Sequence, residues 1–198
     1  MRRLLILDGL TATGKTTTAN YLSETFNFRI IKFPPEKIIK NRIKEMKSDI
    51  YSECKLYIDD LMLFLKEEVN KIENDDDNSG EVIIFDRSFL STLTFQAKTK
   101  ELQDYIIAEY KKAFIDCKID LLNSLTLFFN KRIDGVERVQ KISEKYLLEQ
   151  ENNIEERFEF YAKNYRLDTD LIYMNMNKTK VESLKDFIIM YFKLDFYK

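Results

Sequence analysis

The stretch Gly9-Leu10-Thr11-Ala12-Thr13-Gly14-Lys15-Thr16 matches the phosphate-binding pattern G-x-x-x-x-G-K-[ST] at every defined position. It follows an apolar run at residues 4–7 and precedes an amphipathic segment at residues 16–26. In a strand–loop–helix of this kind the backbone N–H groups and the positive end of the helix converge on phosphate oxygens. The pattern therefore predicts a nucleotide phosphate site, in which Lys15 reaches the β- and γ-phosphates and the Thr16 hydroxyl ligates Mg²⁺.

A second polar signal, Asp86-Arg87, follows the apolar run at residues 82–85. An acid at the end of a buried parallel strand lies at the carboxyl edge of the sheet, where ligands of such sheets bind. We expect Asp86 to lie beside the phosphate loop and to hold Mg²⁺ or its water molecules, as a Walker-B acid does. Thr16 and Asp86 are thus the predicted metal ligands.

Short apolar runs alternate with longer amphipathic segments along the chain. The runs predict five strands, at residues 4–7, 28–33, 82–85, 125–129 and 171–176. Helical spacing predicts helices at 16–26, around 39–46, from 50 onward, twice between Asp86 and residue 125, within 134–166 and at 184–192. This alternation predicts an α/β fold with three layers, in which helices flank a five-stranded parallel sheet. With no internal repeat and no Pro/Gly/Ser linker, residues 1–198 are expected to form a single domain.

Composition excludes several kinds of chemistry. The 198 residues contain no histidine, so the chain has no imidazole general base, no Ser-His-Asp triad and no His-ligated zinc. Thirty-two Lys and Arg against 34 Asp and Glu give little support for nucleic-acid binding. Cys54 and Cys117 are isolated in sequence, and no apolar stretch approaches membrane-spanning length, so we expect a cytoplasmic protein without a membrane partner.

The chain resembles the thymidylate kinases, a family of P-loop nucleoside-monophosphate kinases. The resemblance rests on Asp8-Gly9, on Phe33-Pro34, on a lid-like segment at 144–157 and above all on residues 86–96, which match the family's D-R-x-x-x-S-x-x-x-[YF]-Q run. It implies ATP-dependent phosphorylation of a deoxynucleoside monophosphate, most simply dTMP, with ATP as donor and Mg²⁺ as cofactor. It also implies a P-loop kinase fold, a homodimer and a mobile lid within about 134–166.

The resemblance also implies roles for individual residues. Residues 9–17, that is the loop itself and Thr17, would bind ATP; Arg87 would contact the acceptor phosphate, and the catalytic set would be Lys15, Asp86, Arg87 and Arg138 of the lid. Arg132, Lys141 and Lys145 are alternatives to Arg138. Tyr57 would stack on the base, Thr92 would contact it and Phe95 would exclude a ribose 2′-hydroxyl. The acceptor site would comprise Asp8, Phe33, Lys37, Tyr57, Arg87, Ser91, Thr92, Phe95 and Gln96.

The chain departs from the family pattern at several acceptor positions. Thr11 replaces an acid that binds the acceptor's 3′-hydroxyl, and Ala12 stands where some members have a catalytic arginine. Leu61 replaces a base-reading arginine, and the additional Pro35 suggests that Lys37 takes over from a phosphate-binding arginine. These residues therefore leave open which base the acceptor carries.

Two other functions are compatible with a phosphate loop. A deoxynucleoside kinase would need a carboxylate base after the second strand, where Glu36 is the candidate. The second is a non-catalytic nucleotide-binding module or a GTPase switch. Against a GTPase, Asn130-Lys131-Arg132-Ile133 lacks the final acid of the guanine-binding N-K-x-D pattern. The residues at 91–96 favour the monophosphate kinase.

Overall fold

The computed structural model describes residues 1–35, 37–38, 50–74, 82–131, 133–134, 144–165 and 167–194. The strands are β1 (Arg3–Gly9), β2 (Arg29–Lys32), β3 (Val82–Asp86), β4 (Leu125–Phe129) and β5 (Asp170–Met174). The helices are α1 (Lys15–Phe26), α2 (Ile50–Asn74), α3 (Phe89–Gln96), α4 (Lys100–Asp116), α5 (Glu144–Asn164) and α6 (Leu184–Phe192). Within the described ranges, each predicted strand is present and its bounds differ by a few residues.

The five strands form one parallel sheet in the order β2-β3-β1-β4-β5. Strand β1 lies at the centre, with Leu7 paired to Asp86 of β3 and Gly9 paired to Phe129 of β4. The carboxyl ends of these three strands therefore meet at one edge of the sheet. That edge is where open α/β sheets bind their ligands.

Alternate residues of the central strand pack into two separate cores. Leu5 and Leu7 point to the face covered by α1 and α6, where they join Leu22 and Ile188. Leu4 and Ile6 point to the opposite face, whose core is completed by α2, α3, α4 and α5. A strand that is buried on both faces needs a nearly continuous apolar run, which is what residues 4–7 provide. The prediction of a three-layer α/β fold is confirmed.

Some predicted features fall partly or wholly outside the described residues. The short helix expected around 39–46 does so completely. Of the charged segment 134–166, α5 covers Glu144–Asn164, and residues 135–143 and 166 are not described. In the portion of the chain that is described, no helix combines the length and apolarity needed to cross a membrane.

Candidate active site

The loop between β1 and α1 is shaped by two glycines with positive φ. Gly9 has φ 121° and Gly14 has φ 91°, and Ala12 between them also lies in the left-handed region at φ 56°. A Cβ atom on Gly9 would lie 2.3 Å from the carbonyl oxygen of Phe129, so β4 leaves no room for a side chain. The Leu10 N–H donates to that same carbonyl at 3.0 Å, which fixes the loop to the sheet edge.

The side chain of Lys15 is folded into this loop. Its Nζ donates to the carbonyl of Leu10 and to Thr13 Oγ1, the latter at 3.1 Å, and the residue is 5% exposed. Burial, reinforced by the positive charge of Arg87, lowers the pKa of Lys15 from 10.5 to about 7. The carboxylates of Asp8 and Asp86 act in the opposite direction and raise this pKa, but by less. A phosphate placed in the loop would add negative charge beside the ammonium group and would raise the pKa of Lys15.

Thr16 and Asp86 form an oxygen pair at the mouth of the loop. Thr16 Oγ1 donates to Asp86 Oδ2 at 2.7 Å, which joins the first turn of α1 to the end of β3. A hydroxyl and a carboxylate are hard oxygen donors of the kind that Mg²⁺ uses when phosphates complete its coordination. Across the described ranges no three His, Cys, Asp or Glu side chains cluster to hold a metal by themselves. The residues present thus fit a Mg²⁺ ion shared with a nucleotide.

Arg87 leaves β3 in a left-handed conformation, with φ 70°. Its backbone N–H donates to the carbonyl of Leu7 at 2.9 Å, which continues the pairing with β1 for one more residue. Its Nη1 donates to the Gly9 carbonyl and to Ser91 Oγ, both at 3.2 Å. The half-buried guanidinium is therefore held next to the start of the phosphate loop.

One cavity of about 570 Å³ opens above these groups. Among the predicted site residues it brings together the loop from Thr11 to Thr17 with Phe33, Asp86 and Arg87. The other lining residues within the described part of the chain are Lys32, Pro34 and Ile133. Lys32 is not among the residues predicted from the sequence, although its position directly before Phe33-Pro34 at a strand end is a usable signal. Two polyanions need more than one cationic group facing the same space, and the lining of this cavity includes Lys15, Lys32 and Arg87.

A second cavity of about 410 Å³ adjoins the loop. It shares Gly14, Thr17 and Ile133 with the first and is otherwise lined by residues 176–182, which follow β5. This segment is also absent from the predicted site, because Asn177, Lys178 and Thr179 form no recognised motif. Its position depends on β5 pairing with β4.

Several residues predicted to bind the acceptor are not in the lining of the large cavity. Tyr57 and Gln96 are buried, and Lys37 is exposed but is not among the described lining residues. Thr92 is 6% exposed, donates to the Ser88 carbonyl at 3.1 Å and lies 2.7 Å from the hydroxyl of Tyr110. Phe95 is 39% exposed and packs edge-to-face on Phe158, with 5.7 Å between ring centroids. Their contacts with an acceptor remain predictions.

Asp8 has surroundings that differ from those expected of a substrate-binding group. It is fully buried, and its Oδ1 accepts from the Gly9 N–H at 2.8 Å and from the Ser91 hydroxyl. Its Oδ2 accepts from the backbone N–H groups of Ser88 and Ser91, both at 3.1 Å. Both carboxylate oxygens thus accept hydrogen bonds within the protein, and a contact between Asp8 and substrate remains a prediction.

The predicted lid cations cannot be placed in this site. Arg138, Arg132 and Lys141 lie outside the described residues, as does Glu36, the candidate base of the alternative nucleoside kinase. Lys145 belongs to α5, but its side chain is also outside the described set.

A family model described as thymidylate kinase matches residues 7–188, from the end of β1 to α6. The chain belongs to the thymidylate kinase family. The match includes the phosphate loop, Asp86, Arg87 and the segment after β5. The protein is therefore a nucleoside-monophosphate kinase, a phosphotransferase that takes ATP as phosphate donor.

Individual relatives agree with this membership. A probable thymidylate kinase from Methanosphaera stadtmanae is 25% identical over 205 residues, which cover 96% of this chain and 99% of the relative. The thymidylate kinase structure from Candida albicans has a TM-score of 0.62 at 19% identity, covering 97% of this chain and 92% of that one.

Two further solved structures share the fold. Thymidylate kinase from Ehrlichia chaffeensis has a TM-score of 0.59 at 19% identity, covering 94% of this chain and 98% of that one. The Bacillus subtilis protein YorR, solved in complex with phosphorylated GDP, has a TM-score of 0.57 at 17% identity and covers 96% of each chain. At these identities the likeness supports the P-loop kinase fold of the family.

Proposed function

We propose that the protein transfers the γ-phosphoryl group of ATP to dTMP, producing dTDP and ADP. The observation that carries the proposal is the single cavity lined by the phosphate loop and also by Lys32, Phe33 and Arg87. Phosphoryl transfer between two nucleotides requires two anionic groups to be held in line in one space. Strands β1, β2 and β3 deliver the cations for both groups to the same sheet edge.

In this proposal each cation has one task. Lys15 leaves the carbonyl of Leu10 and binds the β- and γ-phosphates of ATP, while Arg87 and Lys32 bind the phosphate of the acceptor. Thr16 and Asp86 hold Mg²⁺, which neutralises charge on the phosphates when it is bound. The acceptor oxygen belongs to a phosphate that is already anionic, so no general base is required, in keeping with a chain that lacks histidine.

We further propose the 410 Å³ cavity as the site of the donor base. It adjoins Gly14 and Thr17, so a nucleotide whose phosphates lie in the loop would direct its base toward residues 176–182. Met176 and Ile133 offer apolar side chains to a flat ring, and the neighbouring Asn177, Lys178 and Thr179 offer polar groups to its edge. This assigns the donor base to the 410 Å³ cavity and the acceptor to the 570 Å³ cavity, and Gly14 lines both.

Thymine as the acceptor base is supported by family membership and by the residues at 86–96, with Tyr57, Thr92, Phe95 and Gln96 as the proposed base and sugar contacts. Guanine is the competing base, because YorR was solved with phosphorylated GDP.

The lid within about 134–166, with Arg138 as its catalytic cation, is proposed to close over ATP. A homodimer is proposed as the assembly, to be measured by light scattering; Leu56 and Leu63, which are 63% and 58% exposed on α2, are compatible with it.

The experiment is an ADP-release assay with ATP and a panel of all ribo- and deoxyribonucleoside monophosphates and nucleosides. We expect dTMP to give the highest kcat/KM and thymidine to give no turnover. Preference for dGMP would retain the reaction and replace the base. Turnover of thymidine without turnover of dTMP would overturn the proposed reaction in favour of a nucleoside kinase. Lys15→Met serves as the inactive control.

A further inference from the structure

The N-terminus of α3, the helix that follows Arg87, is capped by Asp8, a residue of β1. Ser88 occupies the N-cap position, yet its own hydroxyl makes no capping hydrogen bond to the described backbone. The N–H groups of Ser88 and Ser91, which would otherwise be left without partners, donate instead to Asp8 Oδ2 at 3.1 Å. A carboxylate at this end also interacts favourably with the positive end of the helix dipole. Asp8 is therefore an N-cap supplied from β1.

The same carboxylate connects to Arg87 through two short paths. Ser91 Oγ donates to Asp8 Oδ1 and accepts from Arg87 Nη1 at 3.2 Å. Gly9 donates its N–H to Asp8 Oδ1 at 2.8 Å and accepts from Arg87 Nη1 through its carbonyl at 3.2 Å. The guanidinium thus lies between two groups that are each fixed by Asp8.

Arg87 needs such support on two counts. Its backbone has φ 70°, a conformation that costs a residue with a Cβ atom and persists where the surroundings impose it. Its side chain is long, and ordering it costs rotamer entropy that binding would otherwise have to offset. Groups that fix the guanidinium before the acceptor arrives lower that cost.

Building on the proposed function, we propose that Asp8 and Ser91 are positioning residues that act on the acceptor phosphate through Arg87. Ser91 was expected to touch the acceptor itself. The structure assigns its hydroxyl to the Asp8–Arg87 link instead, because Ser91 is 4% exposed and does not line the cavity that contains Arg87. Loss of the hydroxyl is expected to loosen the guanidinium and weaken the acceptor more than ATP.

The test is a double-mutant cycle between Ser91→Ala and Arg87→Ala, with KM for the best acceptor of the panel and KM for ATP as readouts. Ser91→Ala keeps the backbone N–H that bonds Asp8, so the cap survives. We expect it to raise the acceptor KM about tenfold, the size of a lost hydrogen bond to a charged group, and to change the ATP KM less than about twofold. In the Arg87→Ala background, Ser91→Ala should add less than about twofold.

The matched control is Thr94→Val on the same helix. Thr94 is 1% exposed, and its Oγ1 has no hydrogen-bond partner within the described ranges, so the isosteric change removes a hydroxyl without breaking a link. It should leave both KM values unchanged. An equal increase of the acceptor KM by Ser91→Ala with and without Arg87 would overturn the proposal in favour of direct contact, and an unchanged acceptor KM would overturn it outright.

Failure of the proposed function would look different, because the wild type would then phosphorylate no nucleoside monophosphate. The positioning role is then decided by ¹⁵N relaxation of the Arg87 Nε–H group, assigned by its loss in Arg87→Lys. A rigid Arg87 side chain in the wild type and in Thr94→Val, with a mobile one in Ser91→Ala, supports the proposal. Equal mobility in the wild type and Ser91→Ala overturns it.

Discussion

Thr16 Oγ1 donates a hydrogen bond to Asp86 Oδ2 across 2.7 Å, although seventy positions separate the two residues. The contact follows from the sheet: β3 pairs with β1 so that Asp86 lies opposite Leu7, and α1 starts where the loop after β1 ends. A metal bound here would take the hydroxyl oxygen and the carboxylate as neighbouring ligands, with phosphate oxygens completing its shell. The strand pairing and the start of α1 thus bring the two oxygens together.

Asp86→Asn is expected to weaken the response to Mg²⁺ and to lower kcat by about a hundredfold or more, because a neutral amide is a poorer ligand for a hard cation. The measurement is kcat as a function of free Mg²⁺ at saturating nucleotides. Asp116→Asn removes an exposed carboxylate that pairs with Lys66 far from the loop, and it should leave the Mg²⁺ dependence unchanged. An identical Mg²⁺ dependence in Asp86→Asn and the wild type would contradict the metal assignment.

Lys15 is expected to make stability depend on pH. Its pKa is about 7 in the folded protein against 10.5 as the ordinary value, so between these pH values the unfolded chain binds more protons. The free energy of unfolding should therefore increase as pH rises through this window, by up to about 1.4 kcal/mol per pH unit, and the gain should be lost as pH falls toward 7. Urea unfolding at several pH values measures this slope.

Lys15→Met should remove that part of the slope, because methionine fills a similar volume without a titrating group. Lys163→Met is the matched control: Lys163 has 64% of its side chain exposed, and its replacement should leave the slope as in the wild type. If Lys15→Met and Lys163→Met show the same dependence of unfolding free energy on pH, the titration of Lys15 is not coupled to folding. ATP should suppress the effect in the wild type, since phosphates stabilise the charged ammonium.

The sequence predicted the loop and the Asp86-Arg87 pair because both are local patterns at the ends of strands. The two cores also followed from the apolar runs, whose alternate residues point to opposite faces of a sheet. Lys32, at the end of a predicted strand, could have been found in the same way. Residues 176–182 and the cap by Asp8 could not. Each depends on which strands become neighbours, and nothing in a single strand specifies that Asp8 lies beside Ser88, eighty positions later.

Lys32 and Lys37 give opposite expectations for the acceptor phosphate. Lys32 lines the cavity that contains Arg87, whereas Lys37 is exposed and is not in the described lining. Lys32→Met should therefore raise the acceptor KM about tenfold, since it removes a charge facing an anion. Lys37→Met should change it less than about threefold. Both substitutions make the same change, from lysine to methionine. A larger increase of the acceptor KM in Lys37→Met than in Lys32→Met would therefore assign the role to Lys37.

Asp8→Asn is expected to lower the free energy of unfolding by about 2–4 kcal/mol, because an amide –NH₂ would face backbone N–H donors in a fully buried position. Asp120→Asn is the matched control. Asp120 caps the short turn at Leu121–Asn123 through an exposed contact with the Asn123 N–H, and because asparagine caps about as well as aspartate, the replacement should cost less than about 1 kcal/mol. Equal losses, measured by urea unfolding, would show that the buried cap by Asp8 contributes no more than a surface cap.

Gly9→Ala and Gly14→Ala separate two reasons for a glycine in the loop. A Cβ on Gly9 would lie 2.3 Å from the Phe129 oxygen, and since that atom is backbone of β4, relief requires the loop to leave the sheet. A Cβ on Gly14 would meet the side chains of Ile133 and Met176 at 3.2 and 3.3 Å, and these can rotate away. Left-handed strain then remains at Gly14, worth about 1–2 kcal/mol. We therefore expect Gly9→Ala to cost more than about 3 kcal/mol of unfolding free energy and Gly14→Ala about half as much. Chemical unfolding of the two variants measures the difference, and equal costs would mean that backbone conformation alone, not the approach of β4, requires glycine at position 9.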